Sequence, residues 1–153
     1  MNETTCCFFG HRTIIDTPIL RERIATTIEH LIVSKHVDTF LFGSKSQFNS
    51  LCYELVTQIK ERHPHIRRIY VRAEFPHIDT LYTQYLSERY EDTYFPARLA
   101  RAGKVVYVER NREMIDRSSY CLVYWQADHA RRSGTKLALR YANQKKRTLF
   151  LFP

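Results

Sequence analysis

The chain has 153 residues, 44% of them hydrophobic and 13% aromatic, which suits one folded domain spanning 1–153 and excludes a disordered tail. A chain of this length buries roughly 70% of its unfolded surface and needs no staples. The formal charge of +8 favours nucleic acid, phosphate-bearing metabolites or acidic surfaces as partners, but the basic residues are scattered, with Lys145-Lys146-Arg147 the longest run, whereas a dedicated nucleic-acid arm would be denser.

Strand and helix signals alternate along the chain. Residues 4–9 read as a short buried strand stopped by Gly10. Pro18 stands where a first helical turn tolerates proline, and Leu20, Ile24, Ile28, Leu31 and Ile32 mark one helix face. Residues 38–42 form the next strand, ended by Gly43-Ser44. A second helix follows, with Ser46 as its N-cap and Phe48, Leu51, Cys52, Leu55 and Ile59 on its apolar face; it stops before Pro64. Residues 66–72 alternate as a third strand, and 78–90 hold a helix using Leu81, Tyr82, Tyr85 and Leu86. The irregular stretch 91–103 reads as an insertion over one edge of the site. "KVVYVE" at 104–109 reads as a fourth strand, with a short helix or turn at 112–118. A fifth strand at 120–125, a helix from Thr135 to Lys145 and a closing strand at 148–152 complete the pattern. Repeated β-α units predict an α/β sandwich with a mainly parallel sheet and helices on both faces.

No run approaches the ~18 apolar residues of a membrane span, and the N-terminus lacks the basic start and apolar run of a signal peptide. Cys6, Cys7, Cys52 and Cys121 form no C-x-x-C pair and read as reduced, buried thiols of a cytoplasmic protein. Neither histidines nor cysteines show metal-ligand spacing, so no metal and no cofactor is expected. No G-x-S-x-G or triad singles out a catalytic residue.

In parallel sheets ligands bind outside the carboxyl ends of the strands. Gly, Ser, Arg, Asn and Thr dominate those ends here, which is the chemistry of phosphate and sugar binding. Gly10-His11-Arg12 follows the first strand: glycine lets a ligand approach the backbone, and Arg12 is the better phosphate ligand because it is always charged and forked. Gly43-Ser44-Lys45 outlines a phosphate cradle without the Walker spacing. Arg110-Asn111 follows the fourth strand, and Arg110 could bind phosphate or pair with Asp116. Asp116 could accept from ribose hydroxyls. Ser133-Gly134-Thr135 opens the last helix, where small residues suit an anion, with Thr135 as a plain N-cap the competing reading. Tyr124 and Trp125 are candidates to stack a base.

Taken together, "CCFFGHR", "LFGSKSQFNSLCYE", "VERNREMIDRSSYCLVYW" and "SGTKLALRYA" resemble, in order and spacing, the SLOG superfamily, most closely its stand-alone YpsA-like group. The resemblance runs from Thr5 to the final strand. It implies a Rossmann-like fold binding nucleotides or nucleotide-derived molecules. The family's site loops then map to Gly10, Gly43-Ser44, Arg110-Asn111, Asp116 and Ser133-Gly134-Thr135. Relatives include sensors of ADP-ribose-type signals in antiphage defence, nucleotide phosphoribohydrolases and a DNA-processing protein, and dimers are usual among them. The family's Gly-Gly is Gly43-Ser44 here, its following aspartate is Asn49, and the phosphoribohydrolase signature P-G-G-x-G-T-x-x-E is absent, with Leu139 near its carboxylate position.

The leading expectation is therefore a module that binds a nucleotide-derived ligand of the NAD or ADP-ribose type, as sensor or sequestering protein, and forms a homo-oligomer. The alternatives are an N-glycosidic hydrolase using Asp116, Glu109 or Glu113 and, ranked last, DNA or RNA binding.

Overall fold

A computed structural model describes residues 2–126 and 134–153. Six strands form one sheet: β1 (Asn2–Gly10), β2 (Thr39–Phe42), β3 (Arg67–Val71), β4 (Asp92–Tyr94), β5 (Ser118–Tyr124) and β6 (Thr148–Phe152). Their order is β4-β3-β2-β1-β5-β6, and every neighbouring pair is parallel. The helices are α1 (Pro18–Lys35), α2 (Gln47–Lys60), α3 (Thr80–Ser87), α4 (Val106–Asp116) and α5 (Gly134–Gln144).

Strand alternation divides the core into two halves. Cys6 and Phe8 of β1, Phe40 and Phe42 of β2, and Leu122 and Tyr124 of β5 face α1 and α2. Cys7, Phe9, Leu41, Cys121 and Val123 face the other way, against Met114 and Ile115 of α4 and Ala138 and Ala142 of α5. Each fully buried side chain contributes about 1.5–3 kcal/mol of transfer free energy. The result is a Rossmann-like three-layer α/β sandwich with helices on both faces. All four cysteines are free and buried. Burial pushes the Cys6, Cys7 and Cys52 thiols up, which keeps them protonated and inert.

Three expectations are corrected. The segment 104–109 is not a strand: Gly103–Val105 is a short 3₁₀ turn and Val106 begins α4. Valine-rich alternation suits a strand locally, yet burial of Arg110, Glu113 and Met114 follows helical spacing, and packing on the sheet decides. The missing strand is β4, inside the stretch read as an insertion. It adds to the edge beside β3, where Arg72 N–H donates to Tyr94 O at 2.9 Å and the Thr93 hydroxyl donates to Tyr70 O at 2.8 Å. Helix α3 buries only Leu86; Leu81 and Tyr85 of its predicted apolar face are exposed. Among the described residues, no helix is long and apolar enough to cross a membrane.

Candidate functional site

Because every strand is parallel, all carboxyl ends share one edge of the sheet. A cavity of about 490 Å³ lies there, beyond β1, β2 and β3. It meets Gly10 at the end of β1, His11 and Arg12 just after it, and Gly43, Ser44 and Lys45 after β2. Arg110 and Asn111 of α4 and Gly134 and Thr135 of α5 close it from the other layer. Ser133 lies outside the described residues. Since α5 begins at Gly134, Thr135 sits within its first turn and not at its cap.

The two strand-end glycines have packing reasons. A Cβ on Gly10 would lie 2.3 Å from Phe48 Cβ, so its bareness lets α2 close on β1. A Cβ on Gly43 would meet Met114 Sδ at 2.9 Å and Arg110 Cδ at 3.0 Å, so this glycine makes room for an arginine crossing the end of β2. Asn49 donates from its amide to Phe8 O at 3.1 Å and ties α2 to β1.

The start of α2 is less of an anion cradle than the sequence suggests. Ser46 caps it by accepting from Asn49 N–H at 3.1 Å, Ser44 Oγ accepts from Ser46 N–H at 3.1 Å, and Arg12 O accepts from Gln47 N–H at 2.9 Å. Three amides there are already engaged. His11 is structural too: buried, it accepts from Gln126 N–H through Nε2 at 3.0 Å and packs 5.1 Å from the Trp125 ring. An accepting Nε2 places the ring proton on Nδ1.

The charge in the cavity comes from elsewhere. Arg110 is 7% exposed and donates to Gly43 O, with Nε and Nη2 also pointing to Asn111 Oδ1 at 3.3 and 3.2 Å. Burial lowers its pKa from the ordinary arginine value, against the smaller opposing pull of Tyr70, Tyr107 and Glu74. Arg72, at the end of β3, is 9% exposed, and its buried Nε has no hydrogen-bond partner among the described residues. Among the described residues neither guanidinium has a carboxylate within ion-pair distance. Arg12 and Lys45 add exposed positive charge, and Glu74 is the one carboxylate among the described cavity residues.

Arg72 ends the third predicted strand, 66–72, and only the fold shows it buried without a side-chain partner among the described residues. Glu74, Phe75, Tyr82 and Tyr107 also join the cavity unannounced by any motif.

Asp116 does not belong to the site. It accepts from Arg98 at 2.8 Å and from the Tyr141 hydroxyl at 2.8 Å, so the Arg110–Asp116 pair does not form. Burial pushes its carboxyl up, but Arg98 and Tyr141 outweigh this and hold it below the usual range. Glu109 accepts from Arg98 and Arg112 at 3.1 and 3.2 Å, and Glu113 is engaged by Arg117, Tyr94 and Arg98. None of the three lines the cavity. Tyr124 is buried in the core and does not line the cavity either; nor does Trp125, which packs on His11 and the α5 side of the sheet. Among the described residues no three His, Cys, Asp or Glu side chains are grouped so that they could hold a metal ion.

No family model and no curated protein matches the chain. Among solved structures it is similar to DNA processing protein A from Helicobacter pylori, a structure described for its single-stranded DNA binding mode. The match has a TM-score of 0.63 at 18% identity and covers 99% of this chain and 66% of that one. This is a likeness of fold, and it agrees with the Rossmann-like sandwich seen here. The chain thus spans just under two thirds of that protein's length.

Proposed function

We propose that the cavity binds a phosphate-bearing, nucleotide-derived small ligand of the AMP, NAD or ADP-ribose kind, and that the protein senses or sequesters it. The observation that carries this reading is the pair Arg72 and Arg110: two buried guanidinium groups, neither with a carboxylate partner among the described residues, open to one cavity. A buried charge left unpaired is costly, and an anion that completes it is bound the more strongly. The volume of about 490 Å³ falls within the range of small-molecule sites. The four sequence blocks and the neighbour's fold support a place in the SLOG superfamily; the YpsA-like group and a homo-oligomer are proposed on the sequence blocks alone, and a cytoplasmic location on the reduced cysteines. The hydrolase reading loses support, because Glu109, Glu113 and Asp116 are committed to arginines away from the cavity.

A second reading is single-stranded DNA binding. It rests on the fold likeness to a protein described for that activity and on the net charge of +8. The comparison supports it more directly than it supports a small ligand; the enclosed arginine pair favours the latter.

A thermal-shift panel of AMP, NAD, ADP-ribose, cyclic ADP-ribose and an oligothymidylate separates them. A ligand that binds only the folded state adds about 2.7 kcal/mol at 100 times its Kd. The proposal expects one small compound to raise the melting temperature, and Arg110→Met to abolish the rise. A shift with the oligonucleotide alone, steeply weakened by salt, would replace it with the second reading.

A further inference from the structure

The loop between β3 and α3 has features that neither core packing nor phosphate binding explains. Phe75 is 57% exposed at the cavity wall, although it is large and apolar. Its φ of 59° lies in the left-handed region, which a bulky side chain adopts at a cost. The ring meets Tyr82, another cavity residue, at 5.9 Å between centroids and 76° between planes, and more than half of it stays exposed to a stacking partner. Beside it, Glu74 is an acid in a cavity otherwise lined by Arg12, Lys45, Arg72 and Arg110. One Glu74 oxygen accepts from the Tyr107 hydroxyl; the other has no hydrogen-bond partner among the described residues. A carboxylate repels phosphate, so it serves the part of a ligand that donates hydrogen bonds.

We infer that Glu74 and Phe75 form the nucleoside half of the site: Phe75 stacks the base, and Glu74 accepts from the ribose hydroxyls. This rests on the small-ligand reading above and narrows it to a ribonucleotide. Asp116, the sequence's candidate for the ribose, is turned away, and Tyr124 and Trp125 do not line the cavity to stack a base.

Calorimetric titration with AMP, 2′-deoxy-AMP and ribose 5-phosphate tests it on wild type, Phe75→Ala, Phe75→Tyr and Glu74→Gln. Wild type is expected to prefer AMP over 2′-deoxy-AMP by about tenfold, the worth of one hydrogen bond to a charged group. Glu74→Gln is expected to reduce that preference. Phe75→Ala should weaken AMP by about tenfold, as loss of a stacking aromatic does. It should leave ribose 5-phosphate, which has no base, unchanged, and Phe75→Tyr should restore AMP. Equal affinity of wild type for AMP and 2′-deoxy-AMP overturns the role of Glu74. Equal weakening of AMP and ribose 5-phosphate by Phe75→Ala, or no weakening, overturns the role of Phe75. Either result leaves phosphate binding standing. If wild type binds neither AMP nor ribose 5-phosphate, the small-ligand reading itself fails, and this inference with it.

Discussion

Replacing Arg72 by methionine should make the ligand-free protein more stable while removing its affinity for phosphate. The guanidinium sits at the end of β3 with 9% of the residue exposed, and its Nε donates to nothing among the described residues. Leaving a buried donor unsatisfied costs about 1–3 kcal/mol. Methionine keeps most of the apolar stem and discards the orphaned donor. The β3–β4 connection survives, because it runs through the Arg72 backbone N–H to Tyr94 O. A gain of about 1–2 kcal/mol is expected, which in a chain of 153 residues raises the melting temperature by about 2–8 °C. Arg110→Met is the internal comparison. Its guanidinium donates to Gly43 O, so its removal orphans a buried acceptor and no gain is expected. Scanning calorimetry and urea unfolding of both variants, with and without AMP, read the two effects apart. A loss of more than about 1 kcal/mol in Arg72→Met would refute the reasoning, since the guanidinium would then be satisfied within the protein and not reserved for a ligand.

Two further outcomes follow from the packing and the ion pairs. Gly10→Ala places a Cβ 2.3 Å from Phe48 Cβ, so α2 must move from β1; urea unfolding should show a loss of about 1–3 kcal/mol, and an unchanged midpoint would contradict the close packing. For Glu91 and Asp116, burial raises each pKa, but Arg68 on the first, and Arg98 with Tyr141 on the second, hold the net values below the ordinary range. A depressed folded pKa contributes stability that is full above the unfolded value, about 4. It is lost as pH falls through the folded value. Unfolding midpoints should therefore hold between pH 7 and 5 and decline below about pH 4; a midpoint that rises on acidification in that lower range would contradict the assignment.

The fold was largely legible in the sequence, because its strongest signals are local. β1, β2, β5 and β6 are apolar runs, and α1 and α2 carry an unbroken helical stripe. β4 was not legible: Asp92-Thr93-Tyr94 has neither length nor hydrophobicity, and it is a strand because β3 offers it an edge. The start of α4 reads as a strand because its valines satisfy either period until the layer below chooses. At the site, the strand-end rule gathered most of the cavity, yet the spacing of Arg110 and Asp116 could not show that one stands in the middle of a helix and the other at its C-terminal end. The roles of Gly10 and Gly43 likewise depend on Phe48 and Arg110, partners distant in the chain. Arg72 carries no motif, and its meaning lies in what fails to surround it.

A crystal structure of the protein grown with AMP tests the central claim most directly. The account predicts phosphate oxygens about 2.7–2.9 Å from the guanidinium nitrogens of Arg72 and Arg110, inside the cavity at the carboxyl edge of the sheet. AMP bound elsewhere on the surface, or an AMP-free cavity with both arginines paired to carboxylates, would contradict it.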